Sequence, residues 1–332
     1  MEKKLRWGIL GTGAIARKFA RGLAESRTGR LVAVGSRAEE TLRGFLAEFP
    51  VRGHATYEAL LADAEVDIVY ISTPHPMHAE WCVSAARAGK HILCEKPLTM
   101  NALEAAVVIE AARSAGVFLM EAFMYRCHPQ TARLLELIRG GSIGAVKLVQ
   151  AEFSFRADWK PEGRLLNPEV GGGGILDVGC YCVSMARLIA GVAQGAPFAE
   201  PVEVKAVGQI GETGVDELAG AVLKFPCGML AQVSAGVRVS LENSVRIWGE
   251  EGHIVVPSPW IIGREAGGSV LLLHRQGKAV EEIRIEADRG IYAIEADAVA
   301  ESIEAGESPA MSWADSYGNM RALDRWREEI AN

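Results

Sequence analysis

The most constraining stretch of the sequence is WGILGTGAIARKFA, residues 7 to 20, where closely spaced glycines follow a short apolar run. Between a predicted strand and a predicted helix, three small residues stand in the spacing G-x-G-x-x-G/A. In this spacing the first glycine permits a tight turn, the second lets backbone approach a pyrophosphate, and the last keeps helix and strand close. The helix N-terminus also offers free N–H groups to an anion. The alternative is a mere glycine-rich turn, but the context favours a dinucleotide site with contacts at Gly11, Thr12, Gly13, Ala14, Ile15 and Ala16.

The first part of the chain alternates short apolar runs with amphipathic helical patterns. Helices are predicted over 14–25 and 77–89, the second ending at Gly89. Alternation of this kind implies a parallel sheet with right-handed crossovers, and therefore a Rossmann-type doubly wound sheet. Its buried strands are predicted at Trp7–Leu10, Leu31–Val34, Ile68–Ser72, His91–Cys94 and Val117–Met120.

From about residue 145 the pattern changes to a series of partly alternating runs with short turn-rich gaps, which predicts a mostly antiparallel sheet. One helix is predicted over 175–189, and two more close the chain over 291–304 and 313–330. The fold class is therefore α/β, with a Rossmann domain over 1–123 and an α/β domain with an open sheet over 124–332. We expect the last helices to pack back on the first domain. The predicted strands of the second sheet are VKLVQAEFSF, VEVKAVGQ, LAGAVLKF, GMLAQVSAGV, NSVRIWG and SVLLLH.

Composition excludes several classes of partner. The 332 residues carry a net charge of -7 with no basic run, which argues against nucleic-acid binding. The N-terminal apolar segment is short and broken by glycines, so no signal peptide is expected, and no segment is expected to span a membrane. The cysteines form no C-x-x-C pair, which predicts reduced thiols in a cytoplasmic protein: Cys82, Cys94, Cys127, Cys180, Cys182 and Cys227.

The end of the second predicted strand indicates which dinucleotide is bound. A free ribose 2′-hydroxyl is usually met here by Asp or Glu, whereas a 2′-phosphate favours hydroxyl and guanidinium donors. The segment LVAVGSRAEE places Ser36 and Arg37 at this point, which predicts NADP, with NAD as the alternative. The other interpretation is that Arg37 is a surface charge paired with Glu39 or Glu40.

A further strand runs into STPHPMHAEW, residues 72 to 81. Ligands of open parallel sheets lie beyond the carboxyl ends of the strands, so Thr73 and Pro74 are predicted to contact the cofactor. His78 is predicted to touch the nicotinamide half, and the alternative is that it caps the next helix. His75 and His78 have the spacing of a metal pair, but no third ligand stands nearby, so no metal is expected.

The segment HILCEKPLTMN, residues 91 to 101, places a lysine between an acid and a proline where an apolar run ends. Lys96 lies at the carboxyl end of a predicted parallel strand, and Pro97 fixes the turn. A lysine beside a cationic nicotinamide has its pKa lowered and is able to polarise or protonate a substrate oxygen. The alternative is a surface lysine paired with Glu95, and position alone does not decide between the two.

A second candidate catalytic motif is GGGGILDVGCYCVSM, residues 171 to 185, where glycines end a loop and a helix begins. Asp177 and Tyr181 are four residues apart and so share one helical face. A carboxylate and a phenol in this arrangement are suited to holding a substrate hydroxyl and moving its proton. The alternative is that both residues only pack and cap at the domain junction.

Three motifs in this order, GTGAIA, CEKPLTMN and GGGGILDVGCYCVSMARLIAG, resemble the glucose–fructose oxidoreductase/inositol dehydrogenase (Gfo/Idh/MocA) family over nearly the whole chain. The resemblance implies a Rossmann domain followed by an α/β domain with an open, mainly antiparallel sheet. It also implies an enzyme that oxidises or reduces sugars, polyols and related diols with NAD(P). For the E-K-P segment it implies that Lys96 is catalytic or orients the substrate, and that the Lys96–Pro97 bond is cis.

Many members of this family have His at the position of Tyr181. The Asp-x-Gly-x-Tyr form of this chain instead resembles the dimeric dihydrodiol dehydrogenases and the NADP-linked aldose dehydrogenases, and argues against an inositol dehydrogenase. The resemblance implies that Tyr181 transfers the proton and that Lys96 lowers the pKa of the tyrosine. Asp177 is then expected to orient the substrate.

The resemblance also places EAFMYRCHPQ, residues 121 to 130, at the cleft. There His128 either meets a ligand or only begins a helix. Cofactor contacts are further expected in the E-K-P segment, at Glu95, Lys96 and Pro97. Candidate substrate contacts are Tyr125, Arg126, Trp159, Arg164 and Tyr292.

Two functions from different classes remain. The leading hypothesis is hydride transfer between NADP(H) and a carbinol carbon of a sugar or cyclic diol, with the exact substrate and the direction left open. The alternative is a dinucleotide-binding sensor without turnover. The joint presence of Lys96, Asp177 and Tyr181 favours the enzyme, since a sensor needs no such set. Apolar residues on both faces of AGAVLKF predict a homodimer or a homotetramer built on the second sheet.

Overall fold

A parallel six-stranded sheet forms the first half of the molecule, which the computed structural model describes over residues 4–263 and 267–331. The strand order is β3-β2-β1-β4-β5-β6, so the chain reverses its direction of winding beside β1. The predicted strands are confirmed, and the prediction missed only β3, a short and largely exposed edge strand. The bounds are β1 Leu5–Leu10, β2 Gly29–Gly35, β3 Arg52–His54, β4 Ile68–Ile71, β5 His91–Glu95 and β6 Leu119–Ala122.

Helices cover both faces of this sheet, and local sequence explains where they begin and end. The side chain of Asn101 accepts a hydrogen bond from the N–H of Glu104 at 2.9 Å and so caps α5. The same helix ends at Gly116, whose φ of 63° favours glycine. The bounds of these helices are α1 Ala14–Ala24, α2 Glu39–Leu46, α3 Tyr57–Leu61, α4 His78–Arg87 and α5 Ala102–Ala115. Two helices follow β6, α6 Met124–Cys127 and α7 Pro129–Arg139, and α7 packs on the second half of the chain.

The second half contains an eight-stranded sheet in the order β14-β13-β12-β11-β7-β10-β9-β8. Only β7 and β10 are paired in parallel; the other neighbours are antiparallel, as predicted. The sequence prediction missed β12 and β14. The bounds are β7 Val146–Ser154, β8 Glu203–Ile210, β9 Asp216–Lys224, β10 Leu230–Gly236, β11 Val245–Gly249, β12 Gly252–Val256, β13 Gly267–Arg275 and β14 Glu281–Ala287.

The helix predicted over 175–189 begins with a π-helical turn, Ile175–Gly179, and continues as α8, Cys180–Val192. Every residue of α8 is buried, and the helix packs on β7 and β10. By length and composition, the stretch Pro168–Val192 is long and apolar enough to cross a membrane. This corrects the expectation that no segment has enough continuous apolar residues for that. Its apolar window is wholly buried inside the protein, so core packing explains its composition.

Two closing helices, α9 (Ile291–Ser302) and α10 (Trp313–Ala331), contact the first half of the chain. In α9, Asp297 accepts hydrogen bonds from the hydroxyls of Ser26 and Thr28, both at 2.6 Å. In α10, Asp324 accepts from the N–H of Ala102 at 2.8 Å, at the start of α5. These contacts fasten the two closing helices to the first half of the chain.

The face of the second sheet opposite to α8 has no element of the described chain packed over its centre. Register places Val207, Val222, Leu230 and Trp248 on this face, through directly opposed pairs of β8, β9, β10, β7 and β11. These side chains are exposed, Val207 to 78%. We call this set the open face.

Candidate active site

A cleft of about 620 Å³ lies at the carboxyl edge of the parallel sheet, where α8 and the second sheet meet the first. This is the position where open α/β sheets bind ligands. Two groups of predicted residues line it. From the first half these are Gly11, Thr12, Gly13, Ala14, Ile15, Thr73, Pro74, His78, Glu95 and Lys96; from the second half they are Arg164, Asp177, Tyr181 and Tyr292.

The glycine turn has the geometry that a pyrophosphate needs. Gly11 has φ of 105°, and a Cβ there would lie 3.0 Å from the Ser72 hydroxyl oxygen, so a larger residue is disfavoured. A Cβ on Gly13 would meet no atom within 4 Å, which leaves open space beside the backbone. The N-terminus of α1 has no side-chain cap, so its N–H groups face the cleft mouth unshielded by the chain. Ala16 is fully buried, as expected for close helix–strand contact.

Ser36 and Arg37 do not line the cleft itself but touch residues that do. The Ser36 hydroxyl lies 3.4 Å from that of Thr12 and 3.0 Å from that of Thr41. The Arg37 guanidinium lies over the ring of Tyr57, with its carbon 5.6 Å from the ring centroid. Glu39, which the alternative interpretation paired with Arg37, instead pairs with Arg43 at 2.8 Å.

The turn after β5 is held from behind by a buried histidine. The Lys96–Pro97 peptide bond is cis, as the family resemblance implies. The ring nitrogens of His78 lie 2.9 Å from two carbonyl oxygens, those of Pro97 and Thr73. His78 therefore both begins α4 and links the turns after β4 and β5, and burial lowers its pKa. With both nitrogens facing carbonyls, this side chain is a structural link rather than half of a metal pair.

Lys96 reaches across the cleft to the second half of the chain. Its ammonium donates to the main-chain carbonyl of Asp177 at 2.6 Å and lies 3.4 Å from the Asp177 carboxylate. The guanidinium of Arg164 donates to the same carboxylate oxygen at 2.8 Å. Asp177 thus receives two cations, one from each half of the chain, and this arrangement replaces the alternative interpretation, in which Lys96 is a surface residue paired with Glu95.

Burial and charge oppose each other at this cluster. Burial is the largest effect on Lys96 and disfavours its charged form, but attraction by Asp177, together with that of Cys180 and Glu95, outweighs burial and raises the pKa of the lysine. Burial likewise opposes ionisation of Asp177, yet Lys96 and Arg164 together hold the pKa of this carboxyl well below its usual range. Lys96 is therefore a cation and Asp177 an anion. The side chains of the protein by themselves do not lower the pKa of Lys96, which differs from the expectation.

Tyr181 sits in an aromatic cage on the cleft floor. The Lys96 ammonium lies 5.1 Å from the centroid of its ring, and the rings of Phe123, Phe153 and Trp260 pack edge-on at 5.2 to 5.8 Å. Burial, followed by the negative charge of Glu95, raises the pKa of the phenol well above its ordinary value. The chain by itself therefore keeps Tyr181 neutral, which differs from the expectation that Lys96 lowers the pKa of this phenol.

Glu95 is the second acid of the cleft floor, and its partner is a tyrosine. The Tyr70 hydroxyl donates a short hydrogen bond to its carboxylate, and the N–H of Lys96 donates to the other oxygen at 3.3 Å. Burial raises the pKa of Glu95.

The structure corrects two predicted substrate contacts, Tyr125 and Arg126. Both side chains are buried beside α8 and do not line the cleft. The Tyr125 hydroxyl lies 2.9 Å from that of Ser184, and Arg126 lies 3.2 Å from the carboxylate of Asp315. Sequence reasoning placed them correctly after β6 but had no signal for these distant partners, so we no longer assign them to the substrate.

Other predictions near the cleft have mixed outcomes. Trp159 is 45% exposed, stacks with Arg238 in the loop after β7, and does not line the cleft. The ring of His128 accepts a hydrogen bond from the N–H of Gln130 at 3.0 Å, so it caps α7, the second of its two predicted roles. Tyr292 lines the cleft from the start of α9.

Sequence reasoning missed several cleft residues. Ser72 follows β4 directly, so the rule that ligands lie at carboxyl ends of strands was sufficient to find it. His75 was considered only as a metal ligand; burial lowers its pKa to about 3, and its Nδ1 lies 3.2 Å from the carbonyl of Gly171. The apolar wall had no signal, because its members read as ordinary core residues. The missed residues are Lys18, Tyr57, Ser72, His75, Met124, Phe153, Phe155, Val178 and Ile261.

Comparison with known proteins agrees with this geometry. Residues 5–123 match the model of an oxidoreductase family with an NAD-binding Rossmann fold, and residues 131–255 match the GFO/IDH/MocA C-terminal domain. The chain belongs to the GFO/IDH/MocA oxidoreductase family. It is therefore an NAD(P)-dependent oxidoreductase.

Individual relatives cover almost the full chain. The NADP(+) D-xylose 1-dehydrogenase 2 of Haloferax volcanii is 34% identical over 96% of this chain and 95% of its own. The trans-1,2-dihydrobenzene-1,2-diol dehydrogenase of Xenopus laevis is 33% identical over 98% of both. KijD10, a 3-ketoreductase of Actinomadura kijaniata solved with NADP and TDP-benzene, superposes with a TM-score of 0.88 at 29% identity over 99% of this chain and 98% of that one. Solved variants of that ketoreductase replace a lysine by alanine and a tyrosine by phenylalanine.

The charge balance of the cluster yields the first prediction. Replacing Asp177 by asparagine lowers the pKa of Lys96, because burial then acts without its main opposing attraction. Replacing Arg164 by glutamine shifts the lysine pKa in the opposite direction, since Arg164 disfavours a second cation. NMR titration of lysines labelled at Cε, with Lys96→Arg for assignment, measures both. An unchanged or raised lysine pKa in Asp177→Asn contradicts the assigned cluster.

Proposed function

We propose that the protein transfers a hydride between NADP(H) and a carbinol or carbonyl carbon of a sugar, polyol or cyclic diol, with Lys96, Tyr181 and Asp177 as its catalytic residues. The observation that carries the proposal is the contact of Lys96 with both Asp177 and the ring of Tyr181 on the floor of one cleft. The names of the xylose and dihydrodiol dehydrogenases support the substrate class.

The nicotinamide, when bound, accepts or supplies the hydride at its ring carbon. The side chains of this protein handle the accompanying proton. In reduction, the neutral Tyr181 phenol donates its proton to the carbonyl oxygen, and the Lys96 ammonium stabilises the charge that develops there. In oxidation, the Tyr181 phenol first loses its proton to solvent and the resulting phenolate takes the proton of the substrate hydroxyl, so rising pH favours this direction.

Asp177 has a supporting role in this scheme. Its carboxylate holds Lys96 and Arg164 in place, and its position on the cleft floor suits orientation of a second substrate hydroxyl. Arg164 is half-exposed at the cleft mouth, with 50% of its side chain accessible, and is assigned to substrate contact together with Tyr292.

The cofactor is assigned as NADP, with its pyrophosphate at the N-terminus of α1 and its ribose phosphate beside Ser36 and Arg37. Three observations support this: the uncapped helix, the open space at Gly13, and the guanidinium stacked on Tyr57. The similar xylose dehydrogenase is an NADP(+) enzyme and KijD10 was solved with NADP, which agrees with this assignment. Thr73, Pro74, His78, Glu95 and Pro97 are assigned to the nicotinamide side.

A dinucleotide-binding sensor is the second candidate. The fold permits it, because a fold does not determine function. The Lys96–Asp177–Tyr181 contacts favour the enzyme, since binding alone needs no buried ion pair beside a phenol.

Removal of the phenol oxygen tests the catalytic assignment. Tyr181→Phe keeps the ring contacts but loses the proton donor, so kcat falls by about 10²–10⁴-fold while the Kd for NADP+ stays unchanged. Lys96→Met has the same expected outcome. Reduced cofactor is followed by absorbance across a panel of aldoses, inositols and cyclic diols.

Tyr125→Phe is the matched control, because the Tyr125 hydroxyl faces Ser184 rather than the cleft. Parent-like turnover in both Tyr181→Phe and Lys96→Met rules out their assigned roles, whereas binding without turnover by the parent favours the sensor.

Substitution of Arg37 tests the preference for NADP over NAD. Arg37→Gln raises the Kd for NADP+ by about tenfold, the loss expected for a charged hydrogen bond, and leaves the Kd for NAD+ unchanged. Tryptophan fluorescence titrations measure both constants. Arg43→Gln is the control, since Arg43 pairs with Glu39. An equal effect on the two cofactors overturns the assignment of Arg37.

We divide the chain into a cofactor domain over 1–123 and a substrate and oligomerisation domain over 124–332. The two separate sheets support this division. Limited proteolysis that cut first inside either sheet, rather than between them, would contradict it.

A cytoplasmic location is supported by six free cysteines, most of them buried, and recovery of the protein in a secreted fraction would refute it.

We assign a homodimer, or a dimer of dimers, to the open face. An exposed apolar sheet face of this kind favours pairing with a second copy in a self-complementary interface. Val207→Lys places a charge at its most exposed apolar residue and is expected to give a single-chain species in sedimentation, whereas Leu103→Lys on α5 leaves the dimer intact. A parent protein that sediments as one chain refutes the assignment.

A further inference from the structure

The turn that carries Asp177 has no cap of its own. The N-cap residue of the π-helical turn Ile175–Gly179 is Gly174. A glycine has no side chain that could accept hydrogen bonds from the first N–H groups of the turn. Unpartnered N–H groups at the start of a buried helix destabilise it, and an acceptor from elsewhere in the chain has to replace the missing cap.

That acceptor is Asp216, at the start of β9 in the second sheet. Its Oδ2 accepts a hydrogen bond from the N–H of Ile175 at 2.6 Å. Its other oxygen lies against Gly173, where a Cβ would be only 2.2 Å away, so a side chain at Gly173 is excluded. A strand residue thus supplies the cap for a turn that lies about forty residues earlier in the chain.

We propose that Asp216 is a positioning residue for the reaction: it holds the Gly173–Ile175 backbone so that Asp177 meets Lys96 and Tyr181 faces the cleft. This inference deepens the proposed function and rests on it for its kinetic consequences only. Sequence reasoning passed over Asp216 because it lies two residues before the predicted strand LAGAVLKF.

The coupling from Asp216 to the cluster runs through the backbone. The N–H of Asp177 donates to the carbonyl of Gly173 at 3.4 Å, and the carbonyl of Asp177 receives Lys96 at 2.6 Å. The turn is also pressed onto β10, where a Cβ on Gly174 would lie 2.8 Å from the Cα of Gly236. Loss of the Asp216 cap leaves the N–H of Ile175 without its acceptor and loosens the backbone that leads to the carbonyl of Asp177.

The pKa of Asp216 reflects opposing effects of burial and of hydrogen bonds to its carboxylate. Burial raises its pKa to about 6, while the N–H groups of Ile175, of Asp216 itself and of Gly174, and then the charge of Arg327 on α10, pull the pKa back down. A carboxylate kept in such a place costs stability at neutral pH, since a raised acid pKa means that the protonated form is favoured by folding. The hydrogen bonds to the turn offset that cost.

Two substitutions separate positioning from general stability. Asp216→Ala removes the acceptor, and kcat is expected to fall by about 100-fold, the effect of a displacement of about 1 Å at a reacting group. Asp216→Asn retains a carbonyl acceptor without the charge and is expected to recover most of that loss. The Kd for NADP+ stays at the parent value in both, because the cofactor site lies on the first sheet. Glu217→Gln, the next residue on β9, is the control with parent-like kcat.

A readout independent of turnover distinguishes failure of this inference from failure of the proposed function. If Asp216 places the Asp177 carbonyl, Asp216→Ala lowers the pKa of Lys96 in the NMR titration, and Asp216→Asn keeps it near the parent value. The inference is overturned if the lysine pKa is unchanged in folded Asp216→Ala, or if Asn fails to rescue while cofactor affinity falls in parallel with kcat. A parent without turnover sinks the proposed function, yet the titration still decides the role of Asp216.

Discussion

A single buried carboxylate joins the two halves of this molecule at the place where they have to cooperate. Asp177 belongs to the second half, and it receives Lys96 from the first half and Arg164 from the loop after β7. Removing one member of a buried ion pair costs about 3–5 kcal/mol, because the remaining charge is left uncompensated. The cleft, the aromatic cage around Tyr181 and the turn after β5 are all arranged around this cluster.

Close backbone approach is the second requirement of the site, and glycines satisfy it. Around Gly171–Gly174 a side chain would collide with Met100, with two carbonyl oxygens, with Asp216 or with β10. Gly22 of α1 has a similar role, since a Cβ there would lie 2.5 Å from Cβ of Tyr292 on the cleft wall. The glycine run that the sequence indicated as the end of a loop is therefore a tightly enclosed segment that sets the position of the turn carrying Asp177.

Much of the fold was predictable because its signals are local. Apolar runs of strand length, a G-x-G-x-x-A turn and a glycine after α4 each report on a few neighbouring residues. The strands that were missed have weak local signals. In β14, EEIRIEA, just three residues, Ile283, Ile285 and Ala287, alternate inward among charged residues, and β3 is a short exposed edge strand. The start of α8 also differed, because a π-helical turn depends on what caps and surrounds it.

The sequence by itself determined the family and the dinucleotide turn and singled out the candidate catalytic groups, because these depend on residue type and spacing within short motifs. Only the tertiary structure decided which partner each charged group takes. Lys96 is paired with Asp177 rather than with the adjacent Glu95, and Arg126 turns to Asp315 in the core instead of facing the cleft. The distant Asp216 likewise caps the turn that carries Asp177. Partners of buried charges are chosen by desolvation and by which surfaces meet when the sheets close on each other, and neither is written in local sequence.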